Sequence, residues 1–220
     1  MPTGVPGRNT NSICFTIFYF VPSKEVRDIV PHPLQVIEIL PGFTIGGLYA
    51  ARYGDGKDAV SEFGVLQSYV HYGDKRGFFI RHYCMEGKSS PEGCAGNSFK
   101  WERAGNSWTV KISTGGSELI DLRVHPVLKG IPFNGTIPFL CVKGNSVAFL
   151  QNHFISRIGI STSTVRIPPD SPIHGFPLKY KILSTFWDTS NIIFKEPEYV
   201  TTRAIKRADN VLGTPIGKST

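Results

Sequence analysis

Residues 61–108, SEFGVLQSYVHYGDKRGFFIRHYCMEGKSSPEGCAGNSFKWERAGNSW, form the stretch from which the rest of the chain is read. Ser61–Tyr72 and Gly77–Met85 are rich in Val, Phe, Tyr and Ile. The polar tetrad Gly73-Asp74-Lys75-Arg76 between them has turn composition, so the segment predicts a β-hairpin. Its strands carry Glu62, Tyr69, His71, Arg81, His82 and Tyr83, a high density of proton-handling side chains. Regular alternation places Arg81 and Tyr83 on one face with Phe79, and His82 on the other with Ile80 and Cys84. Tyr69 and His71 share a face with Val65 and Gln67 by the same rule. After Met85 the composition turns to Gly, Ser and Pro, which predicts a loop holding Lys100 between Phe99 and Trp101.

Strand signals recur on both sides of this hairpin. Ser12–Val21 has the make-up of a buried strand, and Pro22-Ser23-Lys24-Glu25 opens a short helix with Ser23 as N-cap. Val26 and Val30 fall on one helical face, and Pro31 ends it. Leu34–Leu40 alternates as a strand, and Thr44–Tyr53 follows the Pro41-Gly42 turn, with Gly46-Gly47 marking a bulge or close backbone approach. Ser107–Thr114 and Ser117–Val124 predict a second hairpin around Gly115-Gly116. Pro126–Pro138 is turn-rich, and Phe139–Val142, Val147–Asn152, Phe154–Arg166 and Leu178–Phe194 supply further strands. One helix against so many strands argues for a mostly β (α+β) chain, an antiparallel β-barrel or cone. The organisation expected is a flexible arm (1–11), a single domain (12–196) and an extended tail (197–220).

The totals exclude several classes. With 220 residues, 40% hydrophobic and 12% aromatic, the chain has material for one large core. No apolar run reaches the roughly 18 residues of a spanning helix, and Ile13–Val21 is too short and lacks the basic flank of a signal peptide. Four scattered cysteines with no CxxC pair suit reduced thiols in the cytoplasm. The net charge of +7 is dispersed or placed in the terminal cluster Arg203–Arg207, without a nucleic-acid motif. No nucleotide fingerprint or nucleophile elbow occurs, and His82-Tyr83-Cys84 has nothing to complete a metal site. The expectation is therefore no cofactor, no metal, no nucleic acid and no membrane.

Several pieces, taken in order, resemble the acetoacetate decarboxylase superfamily. They are Val30-Pro31-His32-Pro33-Leu34 after a short helix, Leu40-Pro41-Gly42, and Gly47-Leu48-Tyr49-Ala50-Ala51. Glu62 then heads a strand, Gly77–Met85 and a Gly-containing loop follow, and Ile167-Pro168-Pro169-Asp170-Ser171-Pro172 comes late. The correspondence runs from about Phe15 to Phe194. The resemblance implies a cone of antiparallel strands around a buried pocket, a homo-oligomer, and a keto-acid-type substrate. It also implies a lysine that forms a Schiff base, its pKa lowered by a second lysine and an apolar pocket. The loop departs from the family's Gly-Arg-Glu … Pro-Lys pattern: anchored on Gly96, Asn97-Ser98 replace Arg-Glu and Arg103-Ala104 replace Pro-Lys. The pocket arginine falls on Phe20, whereas the acidic residue survives as Glu62.

These readings define the candidate site. Glu62, Arg81, His71 and Tyr83 are the acid/base and oxyanion-stabilising candidates, and Lys100 is the candidate nucleophile. Phe20, Tyr69, Phe79 and Trp101 are the substrate-binding candidates. The leading reading is an enzyme of specialised metabolism that acts on an enolisable carbonyl or polyketide-like small molecule as a cyclase, isomerase, dehydratase or lyase. The alternatives are a Schiff-base β-keto acid decarboxylase using Lys100 and a non-catalytic small-molecule-binding protein.

Overall fold

The computed structural model describes residues 12–54, 59–86, 96–128, 130–143 and 145–201. The arm (1–11) and residues 202–220 of the tail lie outside these, as does Cys94. The elements are β1 (Ser12–Pro22), α1 (Ser23–Val26), β2 (Gln35–Val36), β3 (Phe43–Tyr53), β4 (Val60–Tyr72), β5 (Lys75–Met85) and β6 (Ser98–Ala104). They continue with β7 (Ser107–Thr114), β8 (Ser117–Pro126), β9 (Ile131–Lys143), β10 (Ser146–Arg166), β11 (Tyr180–Phe194) and β12 (Glu198–Thr201). Among the described residues they form a 12-stranded sheet on the path β11-β1-β3-β4-β5-β9-β10-β8-β7-β6. β10 also pairs with β11, so the path from β11 to β10 closes into a ring. Pairing is antiparallel except where β5 meets β9, in parallel at Phe78–Phe139 and Phe79–Leu140.

Alternation in β1 shows how the ring is filled. Phe15, Ile17, Tyr19 and Val21 are buried on one face. They pack with Leu48, Ala50, Phe63 and Val65 against Val110, Ile112, Ile120 and Leu122 of the β7–β8 layer. Each such side chain contributes about 1.5–3 kcal/mol on full burial, so this two-layer core is the main stabilising mass. Cys14, Thr16 and Phe18 take the other face of β1. Phe18 meets Phe78 of β5 with ring centroids 5.9 Å apart, although β3 and β4 lie between the two strands. That contact makes the second face concave. A smaller cluster, including Val30, Leu34, Val70, Phe79, Leu140 and Phe149, closes one end.

The structure revises several local expectations. Pro22 occupies the N-cap position without a side-chain cap bond, and Ser23 is already helical. Only Gln35–Val36 of the alternating Leu34–Leu40 run is strand, because Glu38 is tied to Arg27 at 2.6 Å and to the Gly42 amide at 3.0 Å. Ile131–Pro138, the larger part of the segment read as turn-rich, belongs to β9, and Val147–Arg166 lies within a single strand. β6 stands where a loop around Lys100 was expected, paired along its length with β7. Glu198–Thr201, from the segment expected as an extended tail, is extended and bonded to β10.

Ring closure depends on one glycine. A Cβ on Gly77 would stand 2.8 Å from the Pro138 carbonyl oxygen and 2.9 Å from its carbon, so only glycine lets β5 approach β9. We expect Gly77→Val to cost about 1–3 kcal/mol in urea unfolding, whereas Asp74→Ala in the exposed turn changes stability by less than about 0.5 kcal/mol.

Candidate functional site

Antiparallel register builds a cluster around Glu62 on the concave face. β3 pairs with β4 so that Ala51 faces Glu62, Tyr53 faces Val60 and Tyr49 faces Gly64. Tyr49 and Tyr53 are thus the diagonal neighbours of Glu62. β5 adds Tyr83 opposite Gly64, and β1 adds Cys14 opposite Ala51. Gly64 and Ala51 are the small residues that leave room. A Cβ on Gly64 would fall 2.3 Å from the Tyr49 ring, which therefore lies over that glycine.

Glu62 is 5% exposed, and both its oxygens accept hydrogen bonds from phenols. Tyr53 donates to Oε1, and Tyr83 donates to Oε2 at 2.8 Å. Hydrogen bonds to a charged group contribute about 1.5–3 kcal/mol each. The desolvation of a buried carboxylate costs several kcal/mol, the same order as the two bonds together, and at Glu62 burial prevails. Burial accordingly pushes the Glu62 carboxyl above its ordinary pKa, and the bonds from Tyr53 and Tyr83 pull in the other direction. Burial first, then the adjacent Glu62 charge, raises Tyr49, Tyr53 and Tyr83 above the ordinary phenol value. All three remain protonated donors at neutral pH. Burial likewise pushes the Cys14 thiol up to about 12, so Cys14 is a neutral wall and not a thiolate. Further round the concave face, Trp187 donates to Thr185 Oγ1 at 2.8 Å and packs edge-on against Phe133 and Phe154.

An irregularity in the hairpin redistributes the other candidates. Pairing shifts around Leu66 on β4, leaving Gln67 unpaired on one strand and Arg81 on the other. The alternation expected from the sequence, Arg81 and Tyr83 with Phe79, is broken here. Tyr83 stays on the concave face, whereas Phe79 is buried in the end cluster with Val70 and Leu140. Arg81 and His82 together line a cavity of about 220 Å³ with Val65, Gln67, Pro172, Ile173 and Phe176. Tyr69 packs on Phe78 with centroids 5.2 Å apart, on the concave side of the bulge. His71 lies farther along β4, opposite Arg76 and Gln35.

The remaining candidates stand apart from Glu62. Lys100 has a side chain 72% exposed, and its ammonium lies 2.6 Å from Glu102 Oε1. That ion pair holds the Lys100 pKa above its ordinary value, the opposite of what an amine nucleophile requires. Trp101 donates from Nε1 to Ser61 Oγ at 3.1 Å and packs on Phe15, closing the two-layer core. Phe20 packs edge-on against Phe43. The sequence reading missed Tyr49, Tyr53, Cys14 and Gln67. The spacing of Tyr49 and Tyr53 on one strand face, a short connection away from Glu62, is the signal that would have found two of them.

The fold is that of the acetoacetate decarboxylase-like enzymes. The chain superimposes on acetoacetate decarboxylase from Legionella pneumophila subsp. pneumophila str. Philadelphia 1 with TM-score 0.63 at 12% identity, covering 91% of this chain and 92% of that one. MppR, an enduracididine biosynthesis enzyme complexed with pyruvate, matches with TM-score 0.62 at 9% identity over 91% and 93% of the chains. An acetoacetate decarboxylase-like enzyme from Sphingomonas wittichii RW1 matches with TM-score 0.51 at 11% identity over 86% and 92%. No protein-family model and no curated protein sequence matches.

The raised Glu62 pKa makes a thermodynamic prediction. A carboxyl raised in the folded state contributes stability below its unfolded pKa, and that contribution is lost as pH rises through the folded pKa. Glu62→Gln removes this loss. In urea unfolding, its stability relative to the parent should therefore increase from pH 5 to pH 8, whereas a decrease would mean that the native site favours the carboxylate.

Proposed function

We propose that this protein is an enzyme that moves protons at an enolisable carbonyl compound, with Glu62 as the acid/base group. The observation that supports this reading is the buried Glu62 carboxyl, held by two phenols on the concave face of a ring whose structural neighbours include an acetoacetate decarboxylase and an enzyme complexed with pyruvate. Glu62 as carboxylate takes a proton from the carbon beside the carbonyl. The C–H electron pair becomes the C=C bond of an enolate, and the carbonyl π pair moves onto oxygen. Tyr49, kept protonated by its surroundings, donates a hydrogen bond to that oxygen. Return of the proton from Glu62 to another carbon isomerises the substrate, and expulsion of a leaving group gives the lyase or dehydratase outcome. A raised pKa brings Glu62 towards the range in which one group both accepts and releases a proton near neutrality.

The substrate class is a small oxo acid or polyketide-like carbonyl compound; the homo-oligomeric state implied by the family resemblance and the cytoplasmic location read from the scattered cysteines belong to the same proposal. Imine chemistry at Lys100 is disfavoured by its exposure and its pairing with Glu102. The test is proton–deuterium exchange into a panel of 2-oxo and 3-oxo acids in heavy water, followed by NMR. The parent should catalyse exchange for at least one acid, and Glu62→Gln should lower the rate about 100-fold or more. Borohydride added with the same acid should leave the mass of Lys100 unchanged. Equal exchange by both proteins, no exchange with any acid, or a reduced adduct on Lys100 would each contradict the proposal.

A further inference from the structure

The cavity beside the β4–β5 bulge lies on the opposite face of these strands from Glu62, because Val65 and His82 pair on the side of the two-layer core. Its volume of about 220 Å³ is below the roughly 300–1,000 Å³ of drug-sized pockets, and corresponds to the space of about seven liquid waters. Its walls are of two kinds. Val65, Pro172, Ile173 and Phe176 form an apolar side, while Gln67 and Arg81 form a polar side that His82 completes.

Two observations on the polar side point to an anion. Gln67 is fully buried, and its amide nitrogen Nε2 has no hydrogen-bond partner among the described residues. A buried N–H donor left unpaired carries a desolvation penalty that an acceptor in the cavity removes. Arg81, exposed at the mouth, reaches Gln67 Oε1 at 3.5 Å, the long limit of a hydrogen bond, so its guanidinium is held beside the cavity by a weak contact. A permanent cation and a buried amide donor therefore flank one small space with an apolar floor.

We propose that this cavity binds a short-chain monocarboxylate, its two oxygens shared between Arg81 and Gln67 Nε2 and its alkyl group against Val65, Ile173 and Phe176. The guanidinium supplies charge-assisted bonds, and the Gln67 amide fixes the depth at which the carboxylate sits. The cavity is separate from the Glu62 cluster, so binding here does not require the acid/base reading to hold. His82 of its wall adjoins Tyr83 of that cluster along β5, so the two sites share a strand.

The probe is isobutyrate, titrated into the full chain while the Gln67 side-chain amide is followed by ¹H–¹⁵N NMR. The expected result is a saturable shift of that amide, little response to neutral isobutyramide, and affinity at least about tenfold weaker in Arg81→Gln, the loss expected when a charged hydrogen bond is removed. Glu62→Gln should bind isobutyrate as the parent does. Arg81 is exposed, so its substitution leaves the core packing intact and a loss of affinity reports on the site. No shift of the Gln67 amide, equal response to isobutyramide, or loss of binding in Glu62→Gln but not in Arg81→Gln would each overturn the proposal.

Discussion

A carboxylate inside a curled sheet is unfavourable unless its oxygens are bonded, and Glu62 is bonded at both. The rest of the concave face follows from that requirement. Tyr53 and Tyr83 must reach Glu62 from the strands on either side, which β3 and β5 provide by register. Gly64 and Ala51 must stay small so that the Tyr49 ring and the carboxylate occupy one layer. The ring must close so that Glu62 is shielded from solvent, and that closure depends on Gly77 against Pro138. The two phenols stabilise the charge only in part, and the shortfall keeps the Glu62 pKa raised. The same shortfall makes a structural carboxylate useful for proton transfer.

The β4–β5 hairpin serves two faces at once because its pairing is irregular. A regular ladder would carry Arg81 to the side of Tyr83 and add a guanidinium beside Glu62, which would hold the carboxyl low. The shift at Leu66 instead turns Arg81 and His82 into one cavity and leaves the concave cluster to carboxyl, phenol and thiol groups. Positive charge is thereby kept away from Glu62 within the hairpin. Lys100 is likewise held apart, since β6 is an edge strand on which Lys100 pairs with Glu102 in solvent.

Much of this was legible in the sequence, and the parts that were not have physical causes. The hairpin and the mostly β class came from alternation and from turn residues at Gly73, Gly115 and Pro41, whose local chemistry is strong, and the family likeness came from the order of short motifs such as Leu40-Pro41-Gly42, Gly47–Ala51 and Ile167–Pro172. Glu62 and Tyr83 were picked out on the same strands. The irregular pairing was invisible because neither Gln67 nor Arg81 is a residue type that marks a break in a ladder, and one slipped residue reverses every face assignment beyond it. The first part of β9, up to Pro138, was read as turns because Pro132, Gly135 and Pro138 punctuate it, yet tertiary pairing to β10 along its length outweighs local propensity. The strand around Lys100 was missed because its burial is slight and the preceding composition is that of a loop.

Glu62 is thus a buried carboxyl whose pKa burial raises and two phenols pull back in part. The direct measurement is the ¹³C chemical shift of the Glu62 carboxyl across a pH titration, in the parent protein and in Tyr83→Phe. The midpoint should lie above the ordinary glutamate value of about 4.3, and should move further up when the Tyr83 hydroxyl is removed. A midpoint at or below the ordinary value, or one indifferent to Tyr83→Phe, would contradict it.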